Sequence, residues 1–136
     1  MLVLPSSPES IADVESLVNQ LFEKYSLDEE HYPSVLVTIT EAVNNAIYHG
    51  NHLDYNKKVK VNHNYRNGIL TFNICDEGKG FDAISVPDPT CIENLEKCGG
   101  RGVYIMKELA HQLKFLKNGT EVEIIFRIES SLCSQS

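Results

Sequence analysis

Val61-Asn62-His63-Asn64-Tyr65-Arg66-Asn67-Gly68-Ile69-Leu70-Thr71-Phe72-Asn73-Ile74 places one Asn-Gly pair between two stretches in which apolar and polar residues alternate. A type I′ turn requires positive φ at both central residues, and Asn-Gly meets that need at the least steric cost. A two-residue loop at Asn67-Gly68 sets Tyr65 opposite Leu70, His63 opposite Phe72 and Val61 opposite Ile74, so the apolar side chains of both strands share a face. Asn118-Gly119 repeats the device, opposing Phe115 to Val122 and Leu113 to Ile124.

Outward from the hairpins the period changes to that of helices. Ile11, Val14, Leu17, Val18, Leu21, Phe22 and Tyr25 recur at helical spacing over residues 8 to 25, after a capping-box pattern Ser6-x-x-Glu9 with Pro8 near the first turn. A second helix is predicted from Pro33 to Gly50, with Leu36, Ile39, Val43, Ala46 and Ile47 inward and Gly50 as its left-handed stop. A third carries Val103, Met106, Leu109 and Ala110 inward. The order helix, helix, hairpin, loop, helix, hairpin predicts an α+β fold, a two-layer sandwich. Its sheet should be mixed but mostly antiparallel, with the helices packed on one face. One domain is expected over residues 1 to 129, followed by a polar tail at residues 130 to 136.

Composition narrows the function. Twelve Lys and Arg against nineteen Asp and Glu give a net charge of −7 over 136 residues, with no basic block longer than Lys57-Lys58. Phosphate neutralisation needs a basic face, so direct nucleic-acid binding is disfavoured. Met1-Leu2-Val3-Leu4-Pro5 lacks the basic start of a signal peptide, and no apolar run approaches the length of a membrane span. A cytoplasmic protein is expected. Cys75, Cys91, Cys98 and Cys133 form no C-x-x-C pair and read as reduced thiols. His49 and His52 make only a weak metal pattern.

Of eight glycines, Gly50, Gly68 and Gly119 serve the helix stop and the two turns. The others, Gly78, Gly80, Gly99, Gly100 and Gly102, fall just after the strand ending at Cys75-Asp76 and just before the third helix. Glycine allows a ligand close to the backbone, and helix starts hold anions, so these clusters suit a nucleotide. There is no G-x-x-x-x-G-K-[ST], and Gly78-x-Gly80 lacks the third glycine of a dinucleotide fingerprint. On the second helix, Glu41 and Asn45 lie four apart and project from a face other than that of Leu36, Ile39 and Val43.

Three motifs now stand in order: Glu41-Ala42-Val43-Asn44-Asn45, Asp76-Glu77-Gly78-Lys79-Gly80 and Gly100-Arg101-Gly102. Together they resemble the N, G1 and G2 boxes of the ATPase superfamily shared by gyrase, the ninety-kilodalton heat-shock chaperone, sensor histidine kinases and mismatch-repair proteins. Within it, Ala42-Val43-Asn44-Asn45-Ala46-Ile47-Tyr48-His49-Gly50 is similar to the signature of the anti-sigma factor serine kinases. The likeness runs over roughly residues 8 to 128 and implies a histidine-kinase-like ATPase fold.

The resemblance implies ATP or ADP with Mg²⁺ as ligands. Asp76 would accept a hydrogen bond from the adenine amino group, assisted by Thr120, which would discriminate against the carbonyl of guanine. Asn45 would hold Mg²⁺. Gly100 and Gly102 would cradle the phosphates at a helix end, and Gly78 and Gly80 would admit the nucleotide. Arg101 is a candidate cation for the γ-phosphate. Glu41 resembles the general base for phosphoryl transfer to a protein serine. Residues 81 to 99 would form a lid. The implied partners are a small anti-anti-sigma protein carrying the phosphoacceptor serine and a sigma factor, and relatives that dimerise make a homodimer an expectation too. The alternative reading is a catalytically silent switch, whose partners associate with it according to the bound nucleotide.

Overall fold

The computed structural model describes residues 1–78 and 101–130. Strands β1 (Leu2–Pro5), β2 (Lys58–Arg66), β3 (Ile69–Cys75), β4 (Gln112–Leu116) and β5 (Glu121–Arg127) form one sheet in the order β1-β2-β3-β5-β4. Every described pairing is antiparallel, where a mixed sheet was expected. Both predicted registers are present: Tyr65 faces Leu70, His63 faces Phe72, Val61 faces Ile74, Leu113 faces Ile124 and Phe115 faces Val122. Asn67 and Gly68 have φ of 53° and 78°, and Asn118 and Gly119 have 57° and 87°, as the turns require. Lys117 is also left-handed, at 52°.

Helices α1 (Ile11–Lys24), α2 (Tyr32–Asn45) and α3 (Arg101–Leu109) stand where helices were predicted, but Leu109, expected inward, is only half-buried and Ala110 follows the end of α3. The core unites Val14, Val18 and Leu21 of α1, Val35, Ile39 and Val43 of α2, and Val103 and Met106 of α3 with one face of the sheet, including Val61, Leu70, Phe72, Ile74 and Ile124. Leu36, assigned to the stripe of α2, is half-buried, and Val35 takes the inward place. A one-residue slip of β3 would turn Leu70, Phe72 and Ile74 outward. At about 1.5–3 kcal/mol for each large apolar side chain, that costs roughly 5–9 kcal/mol, which fixes the register.

Four local features depart from the sequence reading. Leu2 and Leu4, too few to announce a strand, pair with Val61 and Val59 and add the edge strand β1. The capping box does not form, because the Ser6 hydroxyl is buried and donates to the Lys57 carbonyl oxygen at 2.6 Å. Gly50 is not a left-handed stop: α2 passes into a π-helical turn at Ala46–Gly50, and the positive φ angles follow at His52 and Leu53. Ser130, first residue of the expected tail, is buried and donates to the Tyr25 carbonyl oxygen at 2.6 Å. No helix among the described residues is long and apolar enough to cross a membrane.

Candidate functional site

Glu41 and Asn45 occupy the last turns of α2, half-buried and on one side, as their spacing requires. The first turn of α3 packs against them so closely that a Cβ added at Gly102 would lie 2.8 Å from Glu41 Oε2 and 3.2 Å from Asn45 Oδ1. The N-box side chains and the glycine that opens α3 are thus brought together. Among the described residues neither Glu41 nor Asn45 spends its side chain on a hydrogen bond or an ion pair. Two oxygen donors on one helix face suit a hard cation such as Mg²⁺.

One helical run farther, the π-turn carries Gly50 to Asp76 at the end of β3. An added Cβ at Gly50 would stand 2.4 Å from Asp76 Cγ, and one at Gly78 would stand 2.0 Å from the Gly50 carbonyl oxygen. Only glycine allows this double approach. The π-turn is invisible to a 3.6-residue period, although such turns are frequent at functional sites.

Asp76 is held on its backbone by its N–H, which donates to the Thr120 carbonyl oxygen at 2.8 Å. Its Oδ1 accepts from the Gly78 N–H at 2.8 Å, and among the described residues Oδ2 accepts no hydrogen bond. Burial raises the Asp76 carboxyl above the ordinary carboxylate range, and the Gly78 bond and the charges of His52 and Lys57 oppose this only in part. A desolvated carboxylate with one open oxygen is suited to read an amino group. Thr120 reaches Asp76 through its backbone, while its hydroxyl donates to the Lys117 carbonyl oxygen at 2.8 Å.

Behind this pair lies a cluster that sequence patterning did not reveal. Glu121 accepts from Asn73 Nδ2 at 2.9 Å and from Cys75 Sγ at 3.3 Å, and pairs with Lys117 at 3.1 Å. Burial acts against ionisation of Glu121, but the bonds from Asn73, Cys75 and Lys117 together hold its carboxyl below the usual range. Burial and the Glu121 carboxylate push the Cys75 thiol up to about 11. Cys75 is therefore a protonated, unreactive thiol at neutral pH. Alternation alone assigns Glu121 to solvent, and only the pairing of β3 with β5 shows its partners.

Arg101 lies in α3, but its side chain is outside the described residues, as are Gly80, Gly100 and the expected lid at residues 81 to 99. His49 and His52 join no group of three metal-ligating side chains among the described residues.

The two glycine contacts predict different costs. Gly78→Ala drives a methyl into backbone and should destabilise by about 1–3 kcal/mol, read as a lower Tm. Gly102→Ala meets the ends of two side chains that can swing, so Tm should change little while the positions of Glu41 and Asn45 are lost. A Gly102→Ala protein whose Tm falls as far as that of Gly78→Ala would show that these two side chains cannot give way.

Compared with models of known families, residues 4–126 match the histidine kinase-like ATPase domain. No curated protein matches the chain.

Proposed function

The chain belongs to the histidine kinase-like ATPase domain family, and from that premise we propose that it is an ATP-dependent serine kinase that phosphorylates an anti-anti-sigma protein and also sequesters a sigma factor. Nucleotide binding follows from the family. The serine kinase reading is supported by Glu41, whose carboxylate sits beside Asn45 and against the first turn of α3 with no hydrogen bond or ion pair among the described residues.

The division of labour follows from chemistry. Asp76 Oδ2 would take the adenine amino group, and the guanine carbonyl would leave that carboxylate unpaired. Asn45 would hold Mg²⁺ by its amide oxygen, and the bound metal supplies neutralisation of phosphate charge. The amide end of α3 would face the phosphates. Glu41 takes the proton of the serine hydroxyl as the serine oxygen bonds to the γ-phosphorus. The bond from that phosphorus to the bridging oxygen breaks, and ADP departs.

The test is transfer of labelled γ-phosphate from ATP to an anti-anti-sigma protein in the presence of Mg²⁺. Label on a serine is the expected result. Nucleotide-dependent association without any label would replace the kinase by a binding switch.

A further inference from the structure

Asn51 follows the π-turn and is 1% exposed, yet it carries none of the roles assigned above. All of its hydrogen-bonding groups are engaged. Its N–H donates to the Ala46 carbonyl oxygen at 2.8 Å, closing the π-turn, and its carbonyl oxygen accepts from the Asp54 N–H at 3.0 Å. Its side chain accepts at Oδ1 from the Glu77 N–H at 2.8 Å and donates from Nδ2 to Ser6 Oγ at 2.8 Å and to the Lys58 carbonyl oxygen at 3.1 Å. One buried amide therefore ties the end of α2, the segment after β1, the start of β2 and the turn after β3.

The Glu77 bond matters most. The Glu77 N–H belongs to the same rigid peptide plane as the Asp76 carbonyl, so holding it fixes ψ of Asp76. On the other side, the bond from the Asp76 N–H to Thr120 fixes the preceding plane. Asp76 is clamped at both peptide units, which fixes its Cα–Cβ direction, and the Gly78 N–H on Oδ1 then orients the carboxylate.

We propose that Asn51 is a positioning residue for base recognition, holding the Asp76–Glu77 peptide so that the Asp76 carboxylate faces the adenine amino group. The inference rests on the reading of Asp76 as the adenine acceptor. The site calls for one acceptor and two donors at the end of a short side chain, which asparagine supplies. Aspartate in its place would set an oxygen against the Lys58 carbonyl and against Ser6 Oγ, whose own proton goes to Lys57. Alanine would leave the Glu77 N–H and the Lys58 carbonyl without this partner.

The experiment compares Mg·ATP and Mg·GTP affinities by calorimetry for wild type, Asn51→Ala, Asn51→Asp and Ser6→Ala, with melting curves for each. Val18→Ala, in the core on α1, serves as a control for destabilisation alone. Loss of Asn51 should weaken ATP binding about tenfold or more and bring the ATP-to-GTP ratio towards one, since the carboxylate is no longer aimed. Val18→Ala should lower Tm and leave the ratio unchanged. Asn51 variants that lower Tm yet keep the wild-type ratio would overturn the proposal, because a merely structural residue behaves that way. If the Asn51 variants do not fold, Ser6→Ala is decisive. It removes one partner of Nδ2, so the ratio should fall by about two- to fivefold, and an unchanged ratio overturns the proposal. Equal ATP and GTP binding by wild type would instead remove the adenine reading, and this inference with it.

Discussion

Glu41→Ala should lower the proposed phosphoryl transfer to an anti-anti-sigma serine by about 10²- to 10⁴-fold while leaving Mg·ATP affinity within a few fold, the pattern of a lost general base. Asn45→Ala should damage both, because the metal ligand proposed at Asn45 would support binding as well as chemistry. The two residues share a helix face and the same glycine neighbour, so a disturbance of local packing would affect them alike. A difference between them reports chemistry. Single-turnover transfer of labelled phosphate, beside an ATP titration of each variant, makes the comparison. A Glu41→Ala protein that labels its partner at the wild-type rate would show that another group is the base or that none is needed.

Asp76→Asn should weaken ATP binding by about ten- to a hundredfold, the loss expected when a hydrogen bond to a charged acceptor is replaced by an amide. The same change should raise the Tm of the nucleotide-free protein. Burial disfavours the charged form of Asp76, so its carboxyl titrates above the usual carboxylate range, and native stability is lost as pH rises through that raised pKa. The advantage of Asp76→Asn is therefore present at neutral pH and disappears as the wild-type carboxyl becomes protonated. ATP affinity should run the opposite way, because the proposed hydrogen bond from the adenine amino group is strongest to the ionised acceptor. In wild type it should fall as pH drops through the raised pKa, and Asp76→Asn should lack that component. An Asp76→Asn protein of unchanged Tm and unchanged ATP affinity would contradict both the burial argument and the base-reading role.

The elements legible in the sequence were those set by local rules. Period-two alternation around Asn67-Gly68 and Asn118-Gly119 specifies strands, turn type and register within a few residues of each other, and all of it is present in the fold. Strand β1 was not legible, since Leu2 and Leu4 acquire their partners Val61 and Val59 only across the whole first half of the chain. Gly50 shows a second limit. A glycine at a helix end serves equally well for positive φ or for close approach, and here the Asp76 carboxylate decides. Ser6 shows a third, because its hydroxyl is drawn from a local cap to the distant Lys57 carbonyl. Asn51 and Glu121 read as ordinary loop and strand polar residues until tertiary pairing buries them. The motif residues Glu41, Asn45 and Gly102 do gather, and so do Asp76, Gly78 and Thr120. Gly80 and Gly100 lie outside the described residues.

The most direct measurement is a calorimetric titration of the wild-type chain with ATP and with GTP in the presence of Mg²⁺. An Asp76 oxygen at the end of β3 that accepts no hydrogen bond among the described residues predicts, on the proposed adenine reading, that ATP binds at least about tenfold more tightly than GTP. Equal affinities for the two, or no binding of ATP, would contradict the account of this site as one that reads adenine.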